Sequence, residues 1–172
     1  MSAIRSLIGR YLPDLIYGAN DGVVTTMAVI SGVVGASLSS TVILVLGFAN
    51  LLADGFSMGA SNVLSRRSET SAEQLPSLRH STRHGLATFL GFVIAGFVPL
   101  LAYLLPIGSS VRFQTAVGMA LLTLFSVGAS RALFTNRGAL RAGMEMLVIG
   151  SAAAGLAYAI GAAAGSILGT TD

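Results

Sequence analysis

Long apolar segments, separated by short polar breaks, follow one another along the 172-residue chain. Five segments are long enough to cross a bilayer, because a transmembrane helix needs about 20 predominantly apolar residues. We predict these helices at residues 15–37, 41–64, 85–105, 113–134 and 142–168. The pattern therefore predicts an all-α integral membrane protein, with a single transmembrane domain of five helices over residues 1–172.

The stretches between the apolar segments are short. Residues 65–83 form the only substantially polar run, and we predict a cytosolic linker there because the run is too short to be a domain. Residues 4–12 predict a short amphipathic helix at the membrane interface that ends at Pro13. Breaks between the other helices are expected at residues 37–40, 106–110 and 135–138.

The composition agrees with a chain embedded in lipid. Hydrophobic residues make up 53% of the sequence and charged residues only 10%, whereas soluble domains carry about 25% charged residues. The isoelectric point of about 10.0 does not indicate nucleic-acid binding, since the ten basic residues are all arginines at segment ends. The chain has no cysteine, which excludes disulfides and thiolate metal sites. We expect no signal peptide.

The arginines predict the orientation, because basic residues favour the cytoplasmic side of a membrane. With the N-terminus in the cytoplasm, nine arginines lie inside and only Arg112 lies outside. The nine are Arg5, Arg10, Arg66, Arg67, Arg79, Arg83, Arg131, Arg137 and Arg141. This asymmetry predicts a cytoplasmic N-terminus and an outside C-terminus, as an odd number of spans requires.

Two aspartates, Asp21 and Asp54, lie inside predicted spans, where a carboxylate costs about 2.5–3.5 kcal/mol and usually has a partner or a task. Asn50, Asp54, Met58 and Asn62 recur every four residues, so they share one face of the second helix. Asp14 and Asp21 share a face of the first helix in the same way. Counted at about 1.5 Å per residue from the cytoplasmic edge, Asp21 lies at roughly 12 Å, Met58 at 9 Å, Asp54 at 15 Å and Glu145 at 5 Å.

These residues predict a site for a divalent transition metal. Carboxylate and amide oxygens are hard ligands, while the Met58 thioether is soft and gives no benefit to Mg²⁺ or Ca²⁺. A site without cysteine or histidine binds Fe²⁺ or Mn²⁺ only moderately, which suits conduction because the ion must also leave. The candidate metal ligands are Asp14, Asp21, Asn50, Asp54, Met58, Asn62 and Glu145. With no nucleophile–base pair or cofactor motif, we predict no enzyme and no bound cofactor.

Structural interpretations of the same residues stay open. Asp21 and Asp54 could cap or hydrogen-bond neighbouring helices, and Asn50 and Asn62 could do the same between helices. Glu145 could pair with Arg141 or Arg131. His80 and His84 are four residues apart, a spacing more typical of exposed interfacial histidines here than of a metal site. Glycines at four-residue spacing, such as Gly18 and Gly22, indicate close helix packing, with a backbone distortion or a dimer contact as the alternatives.

The chain resembles the vacuolar iron transporter (VIT) family in two runs, DLIYGANDGVVTTMAVISGVVGA at residues 14–36 and LGFANLLADGFSMGASNVLSRRSE at residues 46–69. Residues 87–101 and 139–161 are also similar, so the resemblance covers all five predicted helices. It implies a homodimer whose cation path follows the two-fold axis and is lined by the first two helices. By motif position, the family's membrane aspartates fall on Asp14 and Asp21, and its pathway methionine falls on Met58.

The resemblance also implies export of Fe²⁺, and often Mn²⁺, from the cytosol by proton antiport. Two departures stand out. Many members insert a Glu-rich cytosolic metal-binding domain where this chain has only residues 65–83, so the chain resembles the short nodulin-like branch. Asn50 and Asn62 stand where many members carry glutamate.

We therefore predict a metal/proton antiporter whose partners are a second copy of itself, divalent metal ions and the lipid bilayer, with no nucleic acid. A multi-pass location, in a prokaryotic cytoplasmic (inner) membrane, is expected. Alternatives are a non-transporting membrane scaffold or metal sensor of the same fold, and a transporter of another solute.

Overall fold

The computed structural model describes residues 2–68, 77–133 and 138–169, with side chains from residue 9 onward. Regular structure in these ranges is entirely helical, which confirms the predicted all-α fold with five helices. The helices are α1 Ser2–Gly35, α2 Ser40–Ser68, α3 Leu78–Leu104, α4 Ser109–Ser130 and α5 Ala139–Leu168, with a 3-10 turn at Arg131–Leu133. The middle of the predicted linker (69–76) and most of the predicted break at 135–138 (135–137) lie outside the described residues.

Successive helices run in opposite directions. In α2 and α3, Gly59 lies beside Gly85 and Gly47 lies beside Leu100, so these two helices are antiparallel. In α4 and α5, Gly128 lies against Met146 and Leu124 lies against Gly150, so this pair is antiparallel as well.

The first helix lies among the others and runs in the same direction as α3 and α5. Gly18 meets the backbone of Thr88 and Gly22 meets that of Phe92. Near its other end, α1 contacts α5, and there Gly161 of α5 packs against the backbone carbonyl of Gly32. A Cβ at these glycines would overlap backbone atoms of the neighbouring helix, so Gly18 and Gly22 serve close helix packing, as the sequence indicated.

Within the described parts of the chain, four helices are long and apolar enough to cross a membrane, namely α2, α3, α4 with its 3-10 extension, and α5. The helix α1 does not reach that level by composition. It lies alongside α3, however, and its buried residues Val23 and Ile30 pack in the interior of the bundle. The fifth crossing, and the orientation that depends on it, remain predictions.

The helices begin earlier than the sequence predicted, and the difference is largest for α1 and α3. The interfacial helix and the first span are one continuous helix that passes through Pro13, although proline leaves the carbonyl four residues earlier without its usual N–H partner. The third helix starts at Leu78 rather than at residue 85, and the Ser77 side chain caps it by accepting from the backbone N–H of His80. This change brings His80 and His84 into the helix.

Candidate metal site

The candidate residues of α1 and α2 face each other in register. On α1, Asp14, Tyr17 and Asp21 are separated by three and four residues and so share a face. On α2, which runs the other way, Met58 and Asn62 border the space in front of Tyr17.

Along these two facing helices, residues of α1 and α2 lie opposite each other at three successive levels, counted from the start of α1. Asp14 is hydrogen-bonded to Asn62 at the first. Tyr17 and Met58 line the same cavity at the second. At the third, Asp21 and Asp54 are near enough for their charges to interact.

A cavity of about 580 Å³ opens between these two helices. Its walls are unusually polar for a membrane-length helix pair, and they combine hydroxyl and amide groups with one thioether and one guanidinium. The lining residues are Tyr17, Ser57, Met58, Ser61, Asn62, Ser65 and Arg66. Two of the predicted ligands, Met58 and Asn62, are therefore brought together at one opening.

Asp14 lies at the centre of a polar network where α1, α2 and α3 meet. Its side chain is only 5% exposed, and both carboxylate oxygens have partners. Oδ1 accepts from Asn62 Nδ2 at 2.9 Å and from an Arg66 guanidinium nitrogen at 2.9 Å. Oδ2 lies 2.6 Å from His84 Nδ1. Asn62 also donates to the hydroxyl of Thr88 at 3.1 Å, so it joins all three helices as the structural interpretation proposed.

The expectation that His84 is an exposed interfacial residue is wrong. Because α3 begins at Leu78, His84 lies inside the helix and is 3% exposed. Its ring centroid is 4.7 Å from that of Tyr11 and 4.9 Å from that of His80. Together with its contact to Asp14, these rings make His84 part of the network and not part of a water-facing surface.

The deeper residues are less enclosed within one protomer. Asp21 is half-buried, whereas Asp54 is exposed. Amide groups lie close to both in sequence: Asn20 Oδ1 and Asn50 Nδ2 are buried and, among the described residues, have no hydrogen-bond partner. Asn50 thus keeps a free buried donor next to the turn that carries Asp54.

Glu145, the predicted ligand on α5, lies beside an arginine of its own helix. Glu145 lies 3.5 Å from Arg141, one turn earlier on the same helix, which is one of the pairings considered from the sequence. Within the described parts of the chain, no three histidine or acidic side chains group closely enough to hold a metal ion by themselves.

Sequence reasoning missed Arg66, His84 and Tyr17. Arg66 was assigned to the membrane edge as a topology signal, although its position four residues after Asn62 puts it on the same face of α2. Tyr17 lies between the two aspartates of α1 in the same way. His84 was hidden by the late start predicted for α3, and Ser77 was the signal that could have corrected it.

Comparison with known proteins places these residues in a family. A sequence model described as the VIT family matches residues 12–79 and 72–162. Vacuolar iron transporter 1 of Arabidopsis thaliana is 22% identical over 213 residues, covering 88% of this chain and 85% of that protein. Vacuolar iron transporter homolog 4 of the same plant is 30% identical over 134 residues, covering 69% and 66%.

A further relative, the vacuolar iron transporter of Toxoplasma gondii, is 42% identical over 59 residues, which are 34% of this chain and 20% of that protein.

These matches also bear on the short linker. The alignment with vacuolar iron transporter 1 extends over 213 residues, more than the 172 of this chain, so that relative has additional residues within the aligned region. The two parts of the family match overlap at residues 72–79, after α2 and up to the first residues of α3. The short chain agrees with the expectation that it lacks an extra domain there.

The relatives' names refer to the vacuole, so the prokaryotic membrane remains a prediction. A multi-pass membrane protein follows from the four apolar helices together with the family match. The chain belongs to the VIT family, a family of membrane transporters and not of enzymes, in which iron transport gives the relatives their names.

Proposed function

We propose that this protein exports a divalent transition metal, Fe²⁺ or Mn²⁺, from the cytosol as a homodimer and in exchange for protons. The observation that supports this most is the register of α1 against α2. It brings the Met58 thioether and the Asn62 amide of α2 to one polar cavity of about 580 Å³, with the Asp14 carboxylate of α1 hydrogen-bonded to Asn62. Hard oxygen donors beside one sulfur suit Fe²⁺ and Mn²⁺ better than Mg²⁺ or Ca²⁺.

In the proposed dimer, the second protomer buries the polar face of α2 that is exposed in a single protomer. Asp54, Ser57 and Ser61 are exposed on this membrane-length helix, and a carboxylate that faces lipid costs about 2.5–3.5 kcal/mol. An isologous dimer about a two-fold axis brings the same face of two protomers together. Such a contact removes these groups from lipid and doubles the number of donors around the path.

Proton exchange is supported by the two neighbouring carboxylates Asp21 and Asp54. Their negative charges interact within one protomer, and like charges repel more strongly in a medium of low dielectric constant than in water. A bound divalent cation compensates both charges. When the metal leaves, protons can take over that compensation, so that metal and protons move in opposite directions.

The orientation of the path in the membrane rests on the arginines. The helices alternate in direction, so most arginines lie at one end of the bundle. These arginines are near the start of α1, the end of α2, the start of α3, the end of α4 and the start of α5. Arg112, near the start of α4, lies at the other end. With the arginine-rich end in the cytoplasm, the Asp14 network is at the cytosolic entrance of the path.

Purified protein in liposomes tests this function. Uptake of Fe²⁺ or Mn²⁺ is followed with a metal-quenched dye inside the vesicles, with and without a pH gradient. We expect metal uptake that rises when the receiving side is acidic and that acidifies the opposite compartment. Absence of metal flux under both conditions favours the non-transporting scaffold or sensor, and proton flux that added metal does not change favours a different solute.

A further inference from the structure

Arg66 holds the two predicted metal ligands nearest the entrance. Its Nε donates to Asn62 Oδ1 at 3.0 Å, and its Nη2 donates to Asp14 Oδ1 at 2.9 Å. One guanidinium therefore bridges an oxygen on α1 and an oxygen on α2. These are the oxygens that a metal ion entering between the two helices would use.

The geometry of this bridge resembles that of a bound cation. A guanidinium is planar and permanently charged, and it offers donors in a fork that matches a pair of oxygens. Asp14 is almost fully buried, whereas the Arg66 side chain is 37% exposed and lines the cavity. The positive charge thus approaches the buried carboxylate from the side that is open to the path.

We infer that Arg66 is a tethered cation that competes with the transported metal for Asp14 and Asn62, and that it thereby sets the affinity of the entrance. This inference rests on the function proposed above. An ion that enters has to open the Arg66–Asp14 pair, so a divalent cation, which attracts a carboxylate more strongly than a monovalent one, is favoured. The same competition returns Arg66 to the oxygens once the metal has moved deeper, which prevents tight trapping.

A purely structural role for Arg66 predicts something different. If the guanidinium only neutralises the buried Asp14, its removal lowers stability and gives no gain in metal affinity. If it competes, removal leaves Asp14 with its Asn62 and His84 hydrogen bonds but without the opposing cation, and metal binding tightens.

The test is equilibrium binding of Mn²⁺ to detergent-solubilised full-length protein, measured by electron paramagnetic resonance. For Arg66→Gln we expect Kd to fall about tenfold, the change that corresponds to one charge-assisted hydrogen bond that no longer has to be broken. Arg66→Lys keeps a cation on the same turn and is expected to stay near the wild-type Kd. Arg67→Gln removes the same charge from the next, exposed position and is expected to leave Kd unchanged.

A double-mutant cycle makes the assignment specific. In an Asp14→Asn background, the gain from Arg66→Gln should disappear, because the two cations no longer share a carboxylate. An unchanged or higher Kd in Arg66→Gln, with an unchanged size-exclusion profile, would overturn the inference. The binding measurement does not depend on transport, so the two proposals can fail separately. If the protein binds Mn²⁺ but does not move it, only the proposed transport is refuted. If the protein transports metal but Arg66→Gln binds Mn²⁺ like the wild type, only the competition between Arg66 and the metal is refuted.

Discussion

At the scale of single residues, Met58 is the candidate donor that distinguishes a transition-metal site from one for Mg²⁺ or Ca²⁺. Met58→Leu keeps the apolar volume and removes the sulfur. We expect Fe²⁺ transport efficiency to fall about tenfold, which corresponds to roughly 1.4 kcal/mol, while thermal unfolding in detergent is unchanged. Met144→Leu on α5, 49% exposed, is the matched control. Wild-type rates and metal selectivity in Met58→Leu would show that the thioether is not a ligand.

The second prediction at this scale concerns Asp21. Asp21→Asn keeps the shape and the hydrogen-bonding capacity but removes the charge and the proton-binding group. We expect it to abolish metal-coupled proton movement in liposomes, because the interaction with Asp54 then no longer requires a compensating proton. The pH dependence of metal uptake is the measurement, and a profile identical to that of the wild type would contradict the assignment.

Some of these residues could be predicted from the sequence and others could not, for a physical reason. Carboxylates such as Asp21 and Asp54 stand out because charge is costly in an apolar segment. Arg66 and His84 do not stand out in that way, since basic and aromatic polar residues are common at membrane edges. Their roles depend on the contact with Asp14, which only the packing of three helices creates.

At the scale of helices, glycine contacts fix how closely α1 and α3 approach. In Gly22→Ala the new methyl group would overlap the backbone of Phe92, which cannot move like a flexible side chain. We expect a loss of about 1–3 kcal/mol in stability, as for overpacked sites, measured by unfolding in detergent. Gly118→Ala on α4, with no atom within 4 Å of the added methyl group, is the control and should be neutral or slightly stabilising. Equal stability of the two variants would rule out close packing as the role of Gly22.

The centres of the helices were predictable and their ends were not. Apolar length identifies the part of a helix within lipid, but α1, α2 and α3 continue into polar sequence beyond it. There the helix is stabilised by local devices, such as the Ser77 cap and the basic residues Arg66 and Arg67 in the last turn of α2. Asp14, Arg66 and His84 lie in these extensions, which is why their network was only partly visible in the sequence.

At the scale of the whole molecule, the absence of cysteine makes the proposed dimer contact directly testable. Ala53 is exposed on α2 beside Asp54, and Leu122 is 72% exposed on α4. We expect Ala53→Cys to cross-link into a dimer in membranes treated with an oxidant or a short bis-maleimide, and Leu122→Cys to remain monomeric. The measurement is a denaturing gel without reductant. Cross-linking at Leu122 but not at Ala53 would move the dimer contact away from α2.

The position of α1 has a consequence for biogenesis. The most apolar stretch of this helix is less apolar than those of the other four helices, and α3 and α5 cover the helix in the finished bundle. Both of those helices leave the ribosome after α1 does. The first segment to be synthesised therefore gains its full set of neighbours only when α5 is in place, and until α3 arrives we expect the face that carries Asp14 and Asp21 to stay uncovered.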